Sequence, residues 1–199
     1  MEAELSTSLQ REVDLVYLFD DTDERFDASV RTKFYDKNGN LLTSAADPEY
    51  IAPHCKKYED YDRVMDAGAS SKNIYFIRYA DLILLYAECL LAENDLAGAK
   101  QQVIRVRNRA KVSTPITASN NTEMLDFIYE ERMRELGMEG WRRMDLIRRG
   151  ADYFAAQVDK YNPFAKGNVQ PYHAFYPIPT NEINMNDGIG AEDQNEGYK

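Results

Sequence analysis

Residues 78–110 read RYADLILLYAECLLAENDLAGAKQQVIRVRNRA, and the periodicity of this stretch decides the fold. Apolar side chains at Tyr79, Leu82, Ile83, Tyr86, Leu90 and Leu91 recur at helical spacing. They predict a helix that begins near Ile74. Asn94-Asp95 interrupts the run, and a second helix is predicted from about Leu96 to Ala110, with Leu96, Ala99, Val103 and Val106 along one face. A break of so few residues favours an antiparallel helical hairpin.

The hairpin resembles half of a tetratricopeptide repeat array. Ala87, Asn94 and Ala99 stand where such a unit wants a small residue, a turn former and another small residue. Small side chains let two helices approach, and Asn tolerates the left-handed conformation that ends the first helix. A lone unit cannot bury both faces, so neighbours must exist in the chain or outside it.

Downstream, Ser113 to Asn121 is a polar linker containing Pro115. Asn120 with Glu123, or Thr122 alone, can cap a third helix. That helix is expected to run to about Met138, with Leu125, Ile128, Arg132 and Leu136 on one stripe and Gly137 and Gly140 ending it. A shorter helix from Trp141 to Arg149 stops at Gly150. Residues 151–199 read as an irregular C-terminal segment, with Tyr176-Pro177-Ile178-Pro179 held extended by its prolines. Upstream, residues 1–73 read as irregular with minor β structure. Leu15 to Phe19 is a candidate strand, and 30–43 a β-hairpin about Asn38-Gly39. Residues 44–73 form a long loop whose Tyr50, Tyr58 and Tyr61 suggest packing or ligand contact. The fold class is therefore mostly α: tetratricopeptide-like helical hairpins with long irregular loops and a minor β-hairpin.

Bulk properties narrow the function. Hydrophobic residues make up 44% and charged residues 29% of the 199 positions, the composition of a folded domain. A net charge of −10 argues against nucleic acid and anionic lipid as partners. No stretch approaches the ~20 apolar residues of a spanning helix. The apolar-rich run Leu82–Leu91 is broken by Glu88. The start, Met1-Glu2-Ala3-Glu4, has no basic n-region, no apolar h-region and no nearby lipid-attachment Cys. Cys55 and Cys89 are the only cysteines. Cys89, on an apolar helix, reads as a small buried hydrophobe, and a Cys55–Cys89 disulfide stays open because sequence alone does not fix pairing.

The densest chemistry lies in 130–146, EERMRELGMEGWRRMDL preceded by Tyr129. Glu131 and Glu135 share a helix face. Arg132 falls on the apolar stripe, where an isolated charge is prohibitive, so Glu135, Glu139 and Asp145 are its expected partners. Arg78 and Asp81, three apart, could pair across a turn. Two carboxylates flanking a sugar would suit glycoside hydrolysis, but the neighbouring arginines favour ionised carboxylates, whereas a general acid needs a raised pKa. His54, Cys55 and His173 show no metal-ligand spacing, and no phosphate-binding or nucleophile-elbow motif is present. No metal, cofactor or catalytic residue is expected. Fourteen tyrosines against one Trp supply flat apolar faces with a hydroxyl, suited to sugar rings as well as to core packing.

Several of these segments, in order, resemble the C-terminal half of the SusD/RagB family. They are Asp23-Glu24-Arg25, the helix from Arg78 through Asp81 to Glu88, and Val106-Arg107-Asn108-Arg109-Ala110. They continue with Glu131-Arg132-x-x-Glu135-Leu136-x-x-Glu139-Gly140-x-Arg142-x-x-Asp145-Leu146, then Pro177-Ile178-Pro179 with Glu182-Ile183, and Gln194-Asn195-Glu196-Gly197-Tyr198. Glu196 departs from the usual Pro. The family's N-terminal half, with its lipid-anchored start and much of the ligand platform, is expected to be missing.

The resemblance implies a non-enzymatic nutrient-binding protein on the extracellular face of a Bacteroidetes-type outer membrane. It would pass oligosaccharides, or peptides in some members, to a SusC-like TonB-dependent transporter. It also implies that Arg78, Asp81, Glu131, Arg132, Glu135, Glu139, Arg142 and Asp145 form fold-holding ion pairs. Tyr50, Tyr58 and Tyr61 are the candidate ligand contacts. A helical-repeat scaffold for protein contacts is the second reading, and a glycosidase the third.

Overall fold

A computed structural model describes residues 18–36, 38–42, 54–60, 70, 72–162 and 164–199. The described residues hold seven α-helices: α1 (Arg25–Ser29), α2 (Tyr79–Ala92), α3 (Leu96–Arg109), α4 (Asn121–Leu136), α5 (Arg142–Arg148), α6 (Ala151–Tyr161) and α7 (Thr180–Met185). Four two-residue strands accompany them: β1 (Val30–Arg31), β2 (Phe34–Tyr35), β3 (Leu41–Leu42) and β4 (His54–Cys55). The protein is mostly α, as its periodicity predicts. The chain divides into two units, Met1–Arg142 and Arg143–Lys199.

In the first unit α2 packs on both α3 and α4. The core joins Leu84, Ala87 and Leu91 of α2 to Ala99, Val103 and Val106 of α3, and to Met124 and Ile128 of α4. Burying a side chain such as Leu84, which is fully enclosed, stabilises the fold by about 1.5–3 kcal/mol. Ala87 and Ala99 are equally enclosed. Asn94 takes a left-handed conformation, φ 62°, and Asp95 caps α3 by accepting from the Gly98 amide at 2.8 Å. Asn120 caps α4 through Oδ1, which accepts from Glu123 N at 3.0 Å.

Several expectations are corrected. The first helix starts at Tyr79 rather than near Ile74, because Arg78 is extended (φ −121°, ψ 153°). Its buried face is Asp81, Leu84, Ala87 and Leu91, while Tyr79, Leu82 and Tyr86 are more than half exposed. A helix apolar almost all round leaves the phase of its stripe open, so spacing alone selects the wrong face. Cys89 lies on the exposed side rather than in the core, and both cysteines are free thiols.

The hairpin is shorter than 30–43. Phe34 and Tyr35 pair with Leu42 and Leu41, across a turn in which Asp36 Oδ1 accepts from the amides of Asn38 and Asn40, each at 2.8 Å. Val30 and Arg31 pair instead with Cys55 and His54. Leu18 and Phe19 lie in a turn, and the rest of the candidate strand at 15–19 lies outside the described residues.

The second unit is more regular than expected for 151–199. Gly150, at φ 107°, leads into α6, and Leu146, Phe154 and Ala174 form a small core. The closing residues fold back as a clasp. Gln194 Oε1 accepts from Ile178 N at 2.7 Å, and its Nε2 donates to Ile178 O at 2.9 Å. Asn195 Nδ2 donates to Tyr176 O at 2.7 Å. The Tyr198 hydroxyl donates to Phe175 O at 3.0 Å.

Because Ala87 is fully enclosed in the core between the helices, Ala87→Leu is expected to cost about 1–3 kcal/mol by overpacking. Cys89→Ser, on the exposed side, should change stability by less than about 0.5 kcal/mol. Urea midpoints of the two variants check the phase assigned to α2.

Candidate functional site: a buried ion lattice and the cleft above it

The sequence places Glu131 and Glu135 one helical turn apart on α4. A turn beyond the helix, with Met138 left-handed at φ 66° and Gly140 at φ 87°, brings Glu139 onto the same side. All three carboxylates are almost wholly enclosed, so each must collect cationic partners. Glu131 accepts from Arg25 Nη1 at 2.7 Å, Arg134 Nη1 at 3.1 Å and Arg107 Nη1 at 3.3 Å. Glu135 accepts from Arg78 at 2.9 Å, Arg109 at 3.0 Å and Arg25 at 3.2 Å. Glu139 accepts from Arg78 Nε and Nη2 and from Lys57 Nζ, each at 2.8 Å. Arg78 and Lys57 also cap the end of α4, each donating to Glu135 O at 2.8 Å. Asp23 orients Arg25 through bonds of 2.8 Å to Nε and 2.6 Å to Nη2.

A second buried pair lies on the other side of α4. Arg132 Nη1 donates to Asp81 Oδ1 at 2.7 Å, and Arg132 Nε lies 3.9 Å from Glu88. The partners expected from nearby sequence are thus replaced. Arg132 pairs across to α2 rather than with Glu135 or Glu139. Arg78 and Asp81 do not pair with each other: Arg78 reaches Glu135 and Glu139. Arg142 donates to the carbonyl of Tyr129 at 3.0 Å, and Asp145 pairs with Arg148 at 3.0 Å. Arg25, Lys57, Arg107, Arg109 and Arg134 supply the remaining cations, which spacing along the chain does not single out. Of these, Arg25, Arg107 and Arg109 stand in segments that carry the family resemblance.

Burial and ion pairing act in opposite directions on Glu139, Arg25 and Arg78. Burial alone would raise the Glu139 carboxyl, but hydrogen bonds from Arg78 and Lys57 outweigh it and hold the group below the usual carboxylate range. Burial opposes the charge on Arg25 and Arg78, yet Asp23 and Glu131 for the first, and Glu139 and Glu135 for the second, raise both guanidinium pKa values. At Glu139 the cations thus act against the protonated form that a general acid needs.

A cleft of about 360 Å³ opens above it, lined by Tyr58, Tyr75, Arg25, Arg78, Arg109 and Lys57 along with Glu135 and Glu139. Burial, and next to it the charge of Glu139, push the Tyr58 hydroxyl up, so it stays protonated as a hydrogen-bond donor. Tyr50 and Tyr61 lie outside the described residues.

This architecture has known counterparts. The model of the SusD family matches residues 2–198, and the chain belongs to that family. It is 34% identical over 134 residues to SusD-like protein P25 of Formosa agariphila, covering 65% of this chain and 25% of that protein. It is 32% identical over 142 residues to the starch-binding protein SusD of Bacteroides thetaiotaomicron, covering 68% and 23%. Among solved structures, NanU of B. fragilis superposes with a TM-score of 0.63 at 25% identity, over 94% of this chain and 39% of that one. A SusD superfamily protein of Bacteroides fragilis gives 0.65 at 21%, over 94% and 40%. The chain therefore spans about a quarter of these relatives' sequences and about two fifths of the solved chains.

Removing Glu131 leaves three guanidiniums facing an empty, buried position, so Glu131→Ala is expected to cost about 3–5 kcal/mol in urea unfolding. Glu139 gives a pH test. Its folded pKa is depressed, so its contribution is complete above the ordinary 4.5 and is lost as pH falls through the folded value. Glu139→Gln should flatten the acid side of a plot of urea midpoint against pH. An unchanged acid side would trace that sensitivity to other groups.

Proposed function

We propose that this chain is part of a nutrient-binding protein that captures oligosaccharides without chemistry. It works at the extracellular face of the outer membrane, for delivery to a SusC-like TonB-dependent transporter. The observation that carries binding over catalysis is the state of Glu131, Glu135 and Glu139, each saturated by arginine or lysine. Membership of the SusD family, and a relative named for binding starch, support a glycan as the ligand. Tyr58 and Tyr75 give the cleft flat faces and hydroxyls of the kind sugar recognition uses. The membrane tether and the transporter contact belong to the whole protein and are part of the same proposal.

A scaffold function has one specific observation in its favour. Ile74, Phe76, Tyr79, Leu82 and Tyr86 are all more than half exposed, an apolar surface suited to a protein neighbour.

Calorimetric titration with neutral oligosaccharides is expected to show binding that weakens about tenfold in Tyr58→Ala. No new reducing ends should appear on prolonged incubation. Release of reducing ends that stops in Glu135→Gln would overturn the non-catalytic reading. Recovery of a transporter without any sugar affinity would favour the scaffold.

A further inference from the structure

The second unit contains a groove that the lattice and its cleft leave unexplained. It is a cavity of about 680 Å³ bordered by Pro171, Tyr172, Phe175, Asn195, Glu196 and Gly197, within the size range of small-molecule sites. The clasp described above builds it. Tyr198 stands edge-on to Tyr172 with ring centroids 5.1 Å apart. The Gly197 backbone, at φ +85°, lies so close to the Tyr172 ring that a Cβ there would strike it. Tyr172 is therefore held in one orientation from two sides. The Phe175 backbone is held through its carbonyl by Tyr198, and the residue is 59% exposed. An exposed aromatic side chain on a backbone tied down by its neighbour is costly to hydrate and is presented at a fixed place in the chain, which suits a stacking platform.

The polar side of the groove is equally specific. Asn195 uses its Nδ2 on Tyr176 O, which turns the amide and leaves Oδ1 as an acceptor. Glu196 makes no salt bridge among the described residues, unlike the carboxylates of the lattice. It also stands where the SusD/RagB resemblance calls for Pro, so this chain places a charged acceptor where a ring would otherwise be. A ligand for this groove must offer apolar ring faces to Phe175 and hydroxyl donors to Glu196 and Asn195, and it must carry no negative charge.

We infer that the groove is a sugar subsite for neutral oligosaccharides, in which Phe175 stacks against a pyranose ring and Glu196 accepts from its hydroxyls. Acidic sugars are excluded by the same carboxylate. This inference rests on the glycan-binding reading and adds a location and a charge selectivity to it.

The test is saturation-transfer NMR and calorimetry on the full chain with maltotriose, cellotriose, mannotriose and trigalacturonate. At least one neutral trisaccharide is expected to bind, and trigalacturonate about tenfold or more weaker. Phe175→Ala should weaken the neutral ligand about tenfold with an unchanged melting temperature, and Glu196→Gln should narrow the gap between neutral and acidic sugars. If a neutral sugar binds but only Tyr58→Ala weakens it, the groove inference is overturned and glycan binding stands. If none of the four sugars binds, both fail together.

Discussion

Three carboxylates buried within about two turns of one another set the constraint that the rest of the first unit obeys. Glu131, Glu135 and Glu139 lose nearly all contact with water, and the effective cost of burying such charges is several kcal/mol per ion. That cost is offset only if cations arrive from elsewhere in the chain with good geometry. Here they come from α1 (Arg25), β4's trailing turn (Lys57), the residue before α2 (Arg78), the end of α3 (Arg107, Arg109) and α4 itself (Arg134). Segments with little apolar surface of their own are thereby pinned to the helices. Apolar packing gives the three-helix core its depth. The lattice specifies which irregular segment lies where, because a guanidinium displaced by one residue would leave a buried charge alone.

The same constraint separates structure from chemistry. Glu139, hydrogen-bonded by Arg78 and Lys57, is held below the normal carboxylate range. A glycosidase needs one carboxyl kept neutral near pH 7, and the surroundings of Glu139 act in the opposite direction. A carboxylate pair at helical spacing is thus a poor sign of hydrolysis unless the cations around it have been counted.

Much of the architecture was legible in the sequence, and the failures share a cause. Leu96 to Arg109 and Asn121 to Leu136 carry one apolar stripe each amid polar residues, so both position and face could be read. In α2, LILLYAECLL is apolar on nearly every side, and only the partners α3 and α4 decide that Leu84 and Ala87 point inward while Leu82 and Tyr86 do not. The need for Arg132 to be paired followed from its place on the stripe. Its partner, Asp81, is 51 positions away, and spacing along one helix cannot reveal it. The β1–β4 pairing was hidden in the same way, since Asn38-Gly39 announces only the local hairpin.

Two populations of carboxylate emerge from this arrangement, and their difference bears on where a ligand can be met. Those of the lattice have both oxygens hydrogen-bonded to cations and are almost wholly enclosed, so a sugar hydroxyl would have to compete with a guanidinium for a buried charge. Glu196 is exposed and has no cation on it among the described residues, so a hydroxyl approaching it displaces only water. The groove holding Glu196 is kept open by backbone-directed bonds of Gln194, Asn195 and Tyr198, which occupy none of the carboxylate's acceptor sites. In this chain, the acidic residues that define the family signature are spent on folding. The acidic residue that departs from it lies exposed on the rim of a groove.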